Sequence, residues 1–414
     1  EGDGCECEVG AIEACYGGAD GTEDVGLCMA GHRTCNGGAW GPCEEAVVPA
    51  LEDCTNDLDE DCDGIVCAGP LWGFLAGDGG AQIVAAVGAD LQGNVFAAGL
   101  FTGALNLDGP AGLVLVSEGS ADVFVAKLDA KGELLWARSF GGLLDDAATA
   151  LAVDQDGDVV VTGTFAENVS FGGTLLMNDG GRDAFVAKLD GLDGKVVWAT
   201  KRGLEGDQDP AAIAVTAAGE VFVAGSFTGT FFCPGSPCFA GIVESAGGTD
   251  GFVMKLDANG TGLAQRAFGG SGNESARAIV VDGAGNAIAV GELAGSFMVA
   301  GETLATTSAA DSDVLVVTLA GSDLAPLGAR QFGDDEPQSA LAATLAQGEL
   351  VIAGSAAGVV HWGFATTGEA GKSHAFVAKL ATDPSVAWAR GFPGANAQPN
   401  AVAAGPSGRV AVAG

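Results

Sequence analysis

Along most of the chain the apolar residues come in short runs, with almost no helical spacing. Val159, Val160 and Val161 are apolar at consecutive positions, so both faces of that segment need cover, as in small sheets stacked face to face. A second kind of segment alternates. Phe124, Ala126 and Leu128 fall on one face and Lys127 and Asp129 on the other, which is the period of a strand. From about residue 71 the two kinds recur in a fixed order. The consecutive run ends each time in glycine, at Gly99, Gly163, Gly225, Gly291, Gly354 and Gly414, with spacings of 64, 62, 66, 63 and 60 residues. The alternating run returns as Phe124–Asp129, Phe185–Asp190, Phe252–Asp257, Leu315–Ala320 and Phe376–Ala381. Five copies at one period define a repeated structural unit of about 63 residues.

Each unit predicts four strands. In the second copy they cover Thr149–Asp154, Asp158–Phe165, Ala184–Asp190 and Lys195–Lys201. The first two join through Gln155-Asp156-Gly157, and Gly93-Asn94, Gly219-Glu220, Gly285-Asn286 and Gly408-Arg409 hold the same place elsewhere. Tight hairpin turns need positive φ, which glycine adopts without strain. Four-stranded units buried on both faces describe propeller blades. A β-solenoid is the competing architecture, but its coils are shorter than this period. The expected fold is therefore all-β, a β-propeller of six or more blades with the last one incomplete. Leu71-Trp72-Gly73-Phe74 resembles the fourth strand Leu135-Trp136-Ala137-Arg138, whereas the last copy stops after its second strand. Trp72 is accordingly expected on a strand that closes the ring, and the native chain is expected to continue past Gly414.

Composition changes near Gly69-Pro70 and predicts two domains, 1–69 and 70–414. Residues 1–69 hold 17 acidic side chains against Arg33 alone, a net of −16, and the remainder carries −21. Such acidity repels phosphate backbones and anionic membranes, so neither nucleic acid nor a lipid surface is an expected partner. Nine of the 11 cysteines lie between Cys5 and Cys67. C-x-C occurs at Cys5-Glu6-Cys7 but no C-x-x-C, which does not suit zinc. A disulfide framework with at least three bridges fits better and implies an oxidising, extracellular or cell-surface location. Cys233 and Cys238 flank Pro-Gly-Ser-Pro and are expected to bridge locally. No run of about 18 apolar residues could span a bilayer. No signal peptide is visible either, and residue 1 is expected to follow a removed leader.

The N-terminal module holds the candidate chemistry. Asp59, Asp61 and Asp63 followed by Gly64 form D-x-D-x-D-G, the first half of a calcium loop. The Ile65 carbonyl stands where a seventh-position ligand would. Pro70 occupies the place of the usual bidentate Glu, so Asn56, Asp57, another loop or water would complete the shell. The competing reading is a solvated acidic turn, in which close carboxylates repel unless a cation intervenes.

Two family resemblances follow from these residues. The repeat D-x-F-V-A-K-L-D, G-x-x-x-W-A-R-x-F-G-G and A-V-D-x-x-G-x-V-V-V-T-G resembles the SBBP-type beta-propeller repeat of secreted bacterial proteins, over residues 71–414. It departs where Trp136, Trp198 and Trp388 give way to Ala264 and Gly328. Cys15-Tyr16-Gly17-Gly18, Thr34-Cys35, Trp40-Gly41-Pro42-Cys43 and the run Cys54 to Gly64 resemble the MopE-type metal-binding motif of myxobacterial surface proteins. That resemblance implies metal binding at the cell surface.

Other candidates read as structure. His374 stands where other copies carry Asp122, Asp183 and Asp250, and shares no spacing with a nucleophile; neither do His32 and His361. Gly225-Ser226-Phe227-Thr228-Gly229 is not G-x-S-x-G. Asp154-Gln155-Asp156-Gly157-Asp158 reads as a hairpin turn rather than a second calcium loop. Lys127, Lys188, Lys255 and Lys379 share one repeat position and Arg138, Arg266, Arg330 and Arg390 another, so these cations are expected to pair with acids or cover aromatics. The expected function is a secreted or surface binding and scaffold protein, not an enzyme. Its partner would be a surface protein or glycan, or a second copy in self-assembly. The alternatives are a propeller hydrolase or lyase acting on polysaccharide, and a metal-capture protein.

Overall fold

The structure, a computed structural model, describes residues 7–18, 22–50, 58–60, 62, 72–74, 76–77, 79–107, 112–232, 242–307, 311–363, 365–381, 386–394, 398–405 and 408–414. The chain divides into two compact units, Glu1–Phe74 and Leu75–Gly414.

The first unit is built on β1 (Ile12–Cys15), β2 (Gly31–Asn36) and β3 (Ala39–Trp40), an antiparallel sheet in sequence order. Its interior is sulfur more than hydrocarbon. Bridges join Cys7 to Cys35, Cys15 to Cys43 and Cys28 to Cys62, and Cys28, Cys35 and Cys62 are buried. Val9 and Ile12, by contrast, are 75% and 68% exposed. A unit this small buries too little apolar surface to rely on it, and cross-links that restrict the unfolded chain compensate. The three bridges match the expected framework. Cys5, Cys54, Cys67, Cys233 and Cys238 lie outside the described residues.

The second unit is a succession of four-stranded antiparallel meanders. Sheet one comprises β4 (Gln82–Ala89), β5 (Val95–Leu107), β6 (Leu113–Leu128) and β7 (Leu134–Phe140). Sheet two comprises β8 (Asp146–Val153), β9 (Val159–Phe165), β12 (Asp183–Leu189) and β13 (Val196–Arg202), with the hairpin β10 (Val169–Phe171) and β11 (Thr174–Leu176) inserted midway. Sheet three is β14 (Gln208–Val215), β15 (Val221–Phe227), β18 (Asp250–Leu256) and β19 (Gly262–Phe268), with hairpin β16 (Thr230–Phe232) and β17 (Ile242–Glu244). Sheet four is β20 (Asn273–Val281), β21 (Ala287–Ala294), β24 (Asp313–Leu319) and β25 (Pro326–Phe332), with hairpin β22 (Ser296–Val299) and β23 (Glu302–Ala305). Sheet five is β26 (Gln338–Ala346), β27 (Glu349–His361), β28 (Thr366–Leu380) and β29 (Val386–Pro393), and β30 (Ala401–Ala404) pairs with β31 (Val410–Ala413) to begin a sixth. First strands lie against first strands, β4 on β8, β8 on β14, β14 on β20, β20 on β26 and β26 on β30. This all-β order is that of successive propeller blades.

The recurrent glycine has a steric cause. In every complete sheet the first strand carries a β-bulge opposite it, between Val84 and Ala86, Ala148 and Ala150, Pro210 and Ala212, Ala276 and Ala278, and Ala340 and Ala342. The bulge turns a backbone carbonyl onto the glycine Cα. A Cβ on Gly163 would lie under 3.0 Å from the Ala147 oxygen and 2.8 Å from the Phe185 ring.

Neighbouring sheets interlock through large and small partners. The Trp136 ring covers Gly194 in the turn of the next sheet and its Nε1 donates to Gly191 O at 3.2 Å; Trp198 covers Gly260 and donates to Ala258 O at 2.9 Å. Where the tryptophan becomes Ala264, the next turn carries Leu324 in place of glycine, fully buried in the same apolar cluster at φ 58°. The leucine fills the volume that the indole leaves, at the cost of a positive φ. The paired change Ala264→Trp with Leu324→Gly is therefore expected to lower the thermal midpoint less than either single change, because overpacking and cavity each disappear. Additive losses in the double-mutant cycle would contradict this.

Residues 72–74 carry no strand, and Leu71 lies outside the described residues. The stretch between second and third strands folds into hairpins in sheets two to four and prolongs both strands in sheets one and five.

Candidate functional site

Of the calcium-loop residues only Asp59 is described; Asn56, Asp57, Asp61, Asp63 and Ile65 lie outside the described residues. Asp59 is 6% exposed, and its carbonyl accepts the Leu27 N–H at 3.0 Å. Its carboxyl packs on Gly26, at φ +56°, where a Cβ would be under 3.0 Å from both Oδ2 and the carbonyl. Cys62 is tied to Cys28. The acidic run is thus anchored against the 26–28 turn at both Asp59 and Cys62. Among the described residues no group of three or more His, Cys, Asp or Glu is placed to hold a metal ion.

In the second unit the repeat cations are used structurally. Lys188 lies 2.7 Å from Asp154 and 3.0 Å from Asp158, so an ammonium occupies the turn that superficially reads as a second calcium loop. Lys127 meets Asp90 at 3.2 Å, Lys255 meets Glu220 at 2.7 Å and Lys379 meets Glu349 at 2.7 Å. Lys127 and Lys255 also donate to Gly191 O and Gly321 O of the following sheet, and lie over Phe96 and Phe222. Arg138 donates to Asp193 O, and Arg266 donates to Leu324 O at 3.1 Å. Ser226 belongs to β15 and pairs with Asp209 and Gly251, a ladder position rather than an elbow. His32 lies 3.6 Å from Glu45 at the surface, and His361 is exposed at the end of β27.

A second set of polar residues escaped the sequence reading. Asp122 holds within β6 the repeat position at which Asp183, Asp250 and Asp313 open the third strands of their sheets, and the four are 2%, 0%, 3% and 3% exposed. Each packs on the Cα of the glycine that follows the fourth strand, Gly141, Gly203, Gly269 and Gly333, where a Cβ would come within 3.0 Å of the carboxyl. The first strand of the next sheet brings a buried polar partner to the same place, Asp146, Gln208, Glu274 and Gln338. Burial raises the Asp146 and Glu274 carboxyls to about 7 and Asp313 to about 6. In sheet five His374 replaces the aspartate and Pro393 stands at the glycine position. Its Nε2 is 3.3 Å from Thr367 Oγ1, and burial holds its pKa down. A cavity of about 520 Å³ beside it is lined by Glu369, Lys372, Ser373 and Pro393. What sequence reading takes as drift at one position is a change at two touching positions. The signal was present in the Phe-Gly-Gly motif, whose first glycine recurs with the aspartate.

No family model matches the chain. The regulatory protein FlaEY of Caulobacter vibrioides is 29% identical over 174 residues, 40% of this chain and 18% of its own length. The chain thus spans under a fifth of that curated relative. Among solved structures, BamB from Moraxella catarrhalis aligns over 80% of both chains at 14% identity and TM-score 0.33. The Pan2 WD40 domain of Neurospora crassa aligns over 80% of this chain and 85% of its own, at 8% identity and TM-score 0.39. A quinohemoprotein alcohol dehydrogenase from Comamonas testosteroni covers 76% of this chain and 62% of its own at 10% identity and TM-score 0.37.

Proposed function

We propose that this chain is an extracytoplasmic binding or scaffold protein, with the repeat sheets as a rigid platform and calcium held in its N-terminal unit. The observation that carries the reading is where the reactive side chains go. Lys127, Lys255, Arg138 and Arg266 reach the following sheet, Lys188 and Lys379 pair with acids of their own sheet, and the buried acids lie at the sheet junctions, which leaves them to fix the platform rather than converge on a substrate. The three bridges favour an oxidising compartment. Among the described residues no helix is long and apolar enough to cross a membrane. The partner class is a protein or glycan at the cell surface, with self-association as the competing occupant. Binding of the purified chain to a glycan array and to whole-cell surfaces tests it, alongside turnover assays on the same polysaccharides. Retention without cleavage supports the reading; hydrolysis or lysis of a polysaccharide overturns it.

In the proposed calcium site Asp59, Asp61 and Asp63 supply carboxylates and the Ile65 carbonyl a further oxygen, with Asn56 or Asp57 completing the shell. A ligand that binds only the folded form stabilises it by about 2.7 kcal/mol at a hundredfold excess over its dissociation constant. Calorimetry with calcium and with chelator is expected to move the transition of the first unit alone, and Asp61→Ala to abolish that movement. A shift that survives Asp61→Ala would mean an ordinary acidic turn.

A further inference from the structure

The junctions between neighbouring sheets are polar, buried and of two kinds. Between sheets two and three Asp183 meets Gln208, and between sheets four and five Asp313 meets Gln338. Between sheets one and two, and three and four, both partners are acids: Asp122 with Asp146, and Asp250 with Glu274. All four acidic side chains are at most 3% exposed. Asp250 Oδ1 and Glu274 Oε2 lie 2.5 and 2.8 Å from one point, the place a Cβ on Gly269 would take. One oxygen of each acid is already served by a backbone donor. Glu118 N–H reaches Asp122 Oδ2 at 3.1 Å, Gly142 N–H reaches Asp146 Oδ2 at 2.7 Å, Ala246 N–H reaches Asp250 Oδ2 at 3.0 Å and Gly270 N–H reaches Glu274 Oε2 at 2.8 Å. Asp122 Oδ1 and Asp250 Oδ1 are buried with no partner. Two carboxylates so placed cannot both stay ionised without a cation or a donor between them.

The charged groups around each pair sharpen the choice. Glu118 and Asp145 face the first pair and both are acidic. Asp145 is itself bound by Ser120. At the second pair the acids face each other, and Arg266, which lines the same cavity as Asp250, is engaged with Leu324 O. Lys127 and Lys255 are committed to Asp90 and Glu220. At the amide junctions Gln208 Oε1 and Gln338 Oε1 face Asp183 and Asp313, and the Nε2 groups donate elsewhere, to Glu205 O and Thr230 O and to Asp334 Oδ1 and Ala357 O, so these junctions carry one titratable group in place of two.

We propose that one proton, shared between the two buried carboxyls, closes the junction between sheets one and two and likewise that between sheets three and four, so that the stack carries a pH-sensitive interlock. Loss of that proton leaves two buried like charges and loosens the sheets against each other.

The sign follows from burial. Burial raises folded Asp146 and Glu274 to about 7 and Asp313 to about 6, and pushes Asp122 and Asp250 up as well, whereas in the unfolded chain these acids regain their ordinary values. Between about pH 4 and 7 the folded chain therefore holds protons that the unfolded chain releases, and stability falls as pH rises through that window. Thermal unfolding of the full chain is expected to drop by roughly 5 °C from pH 5 to pH 8. The double variant Asp146→Gln, Glu274→Gln, which leaves one carboxyl at each junction as the native amide junctions do, should stay folded and show a shallower slope, with Asp313 still titrating. Infrared difference spectra should show a protonated-carboxyl carbonyl band at pH 6 that disappears by pH 8.5 in the wild type and is weaker in the variant, where Asp313 still contributes. An unchanged slope in the double variant, or no such band in the wild type at pH 6, would overturn the interlock.

Discussion

Replacing Gly163 by alanine should destabilise the second unit by about 3 kcal/mol, among the larger effects expected of a single methyl group. The added Cβ meets backbone, the Ala147 carbonyl turned inward by the bulge, as well as the Phe185 ring on its other side. A side chain can rotate away from such a clash, but a hydrogen-bonded strand cannot move without opening its ladder. The equivalent changes at Gly99, Gly225, Gly291 and Gly354 should behave alike. Gly283, with nothing within 4 Å of its Cβ position, provides the control, and Gly283→Ala should stay within about 0.5 kcal/mol. Chemical denaturation of the variants measures both, and equal costs at Gly163 and Gly283 would show that the close approach is relieved at no cost.

Removal of the Cys28–Cys62 bridge by paired serine substitution is expected to cost the first unit about 2–5 kcal/mol and in practice to unfold it near physiological temperature. The bridge ties residues 34 apart, and both sulfurs are buried where a larger domain would place aliphatic side chains. The transition of the second unit should be unmoved. Two-domain calorimetry tests this: a first transition that persists at its original temperature would mean that the bridge is dispensable.

Much of this architecture could be read from residue order. The period, the four strands of each copy and the turn glycines follow from side-chain alternation and from the φ that tight turns demand, both local properties. Val159–Phe165 and Asp183–Leu189 fall within a residue of the strands expected there. The hairpins β10–β11, β16–β17 and β22–β23 were missed because segments such as Val169–Phe171 are too short for alternation to register. The junction acids were missed for a different reason. Asp122 and Asp146 look like ordinary surface carboxylates in a chain of net charge −37, and only the packing of one sheet on the next buries them. Likewise the exchange of Trp for Ala264 looks like decay until Leu324 is seen in the vacated space. The acidic loop of the first unit was legible as a motif from carboxylates at alternate positions, of which Asp59 is placed in the structure.

The central claim is that the repeat's polar and aromatic residues couple each sheet to the next, making one platform from five sheets. Hydrogen exchange on Trp136→Ala tests it directly, since Trp136 belongs to β7 of sheet one but covers Gly194 and donates to Gly191 O in sheet two. Protection should fall in β7 and, to a comparable degree, in β12 and β13 across the junction, with sheets four and five little changed. Loss confined to sheet one, with β12 and β13 as protected as in the wild type, would contradict the account.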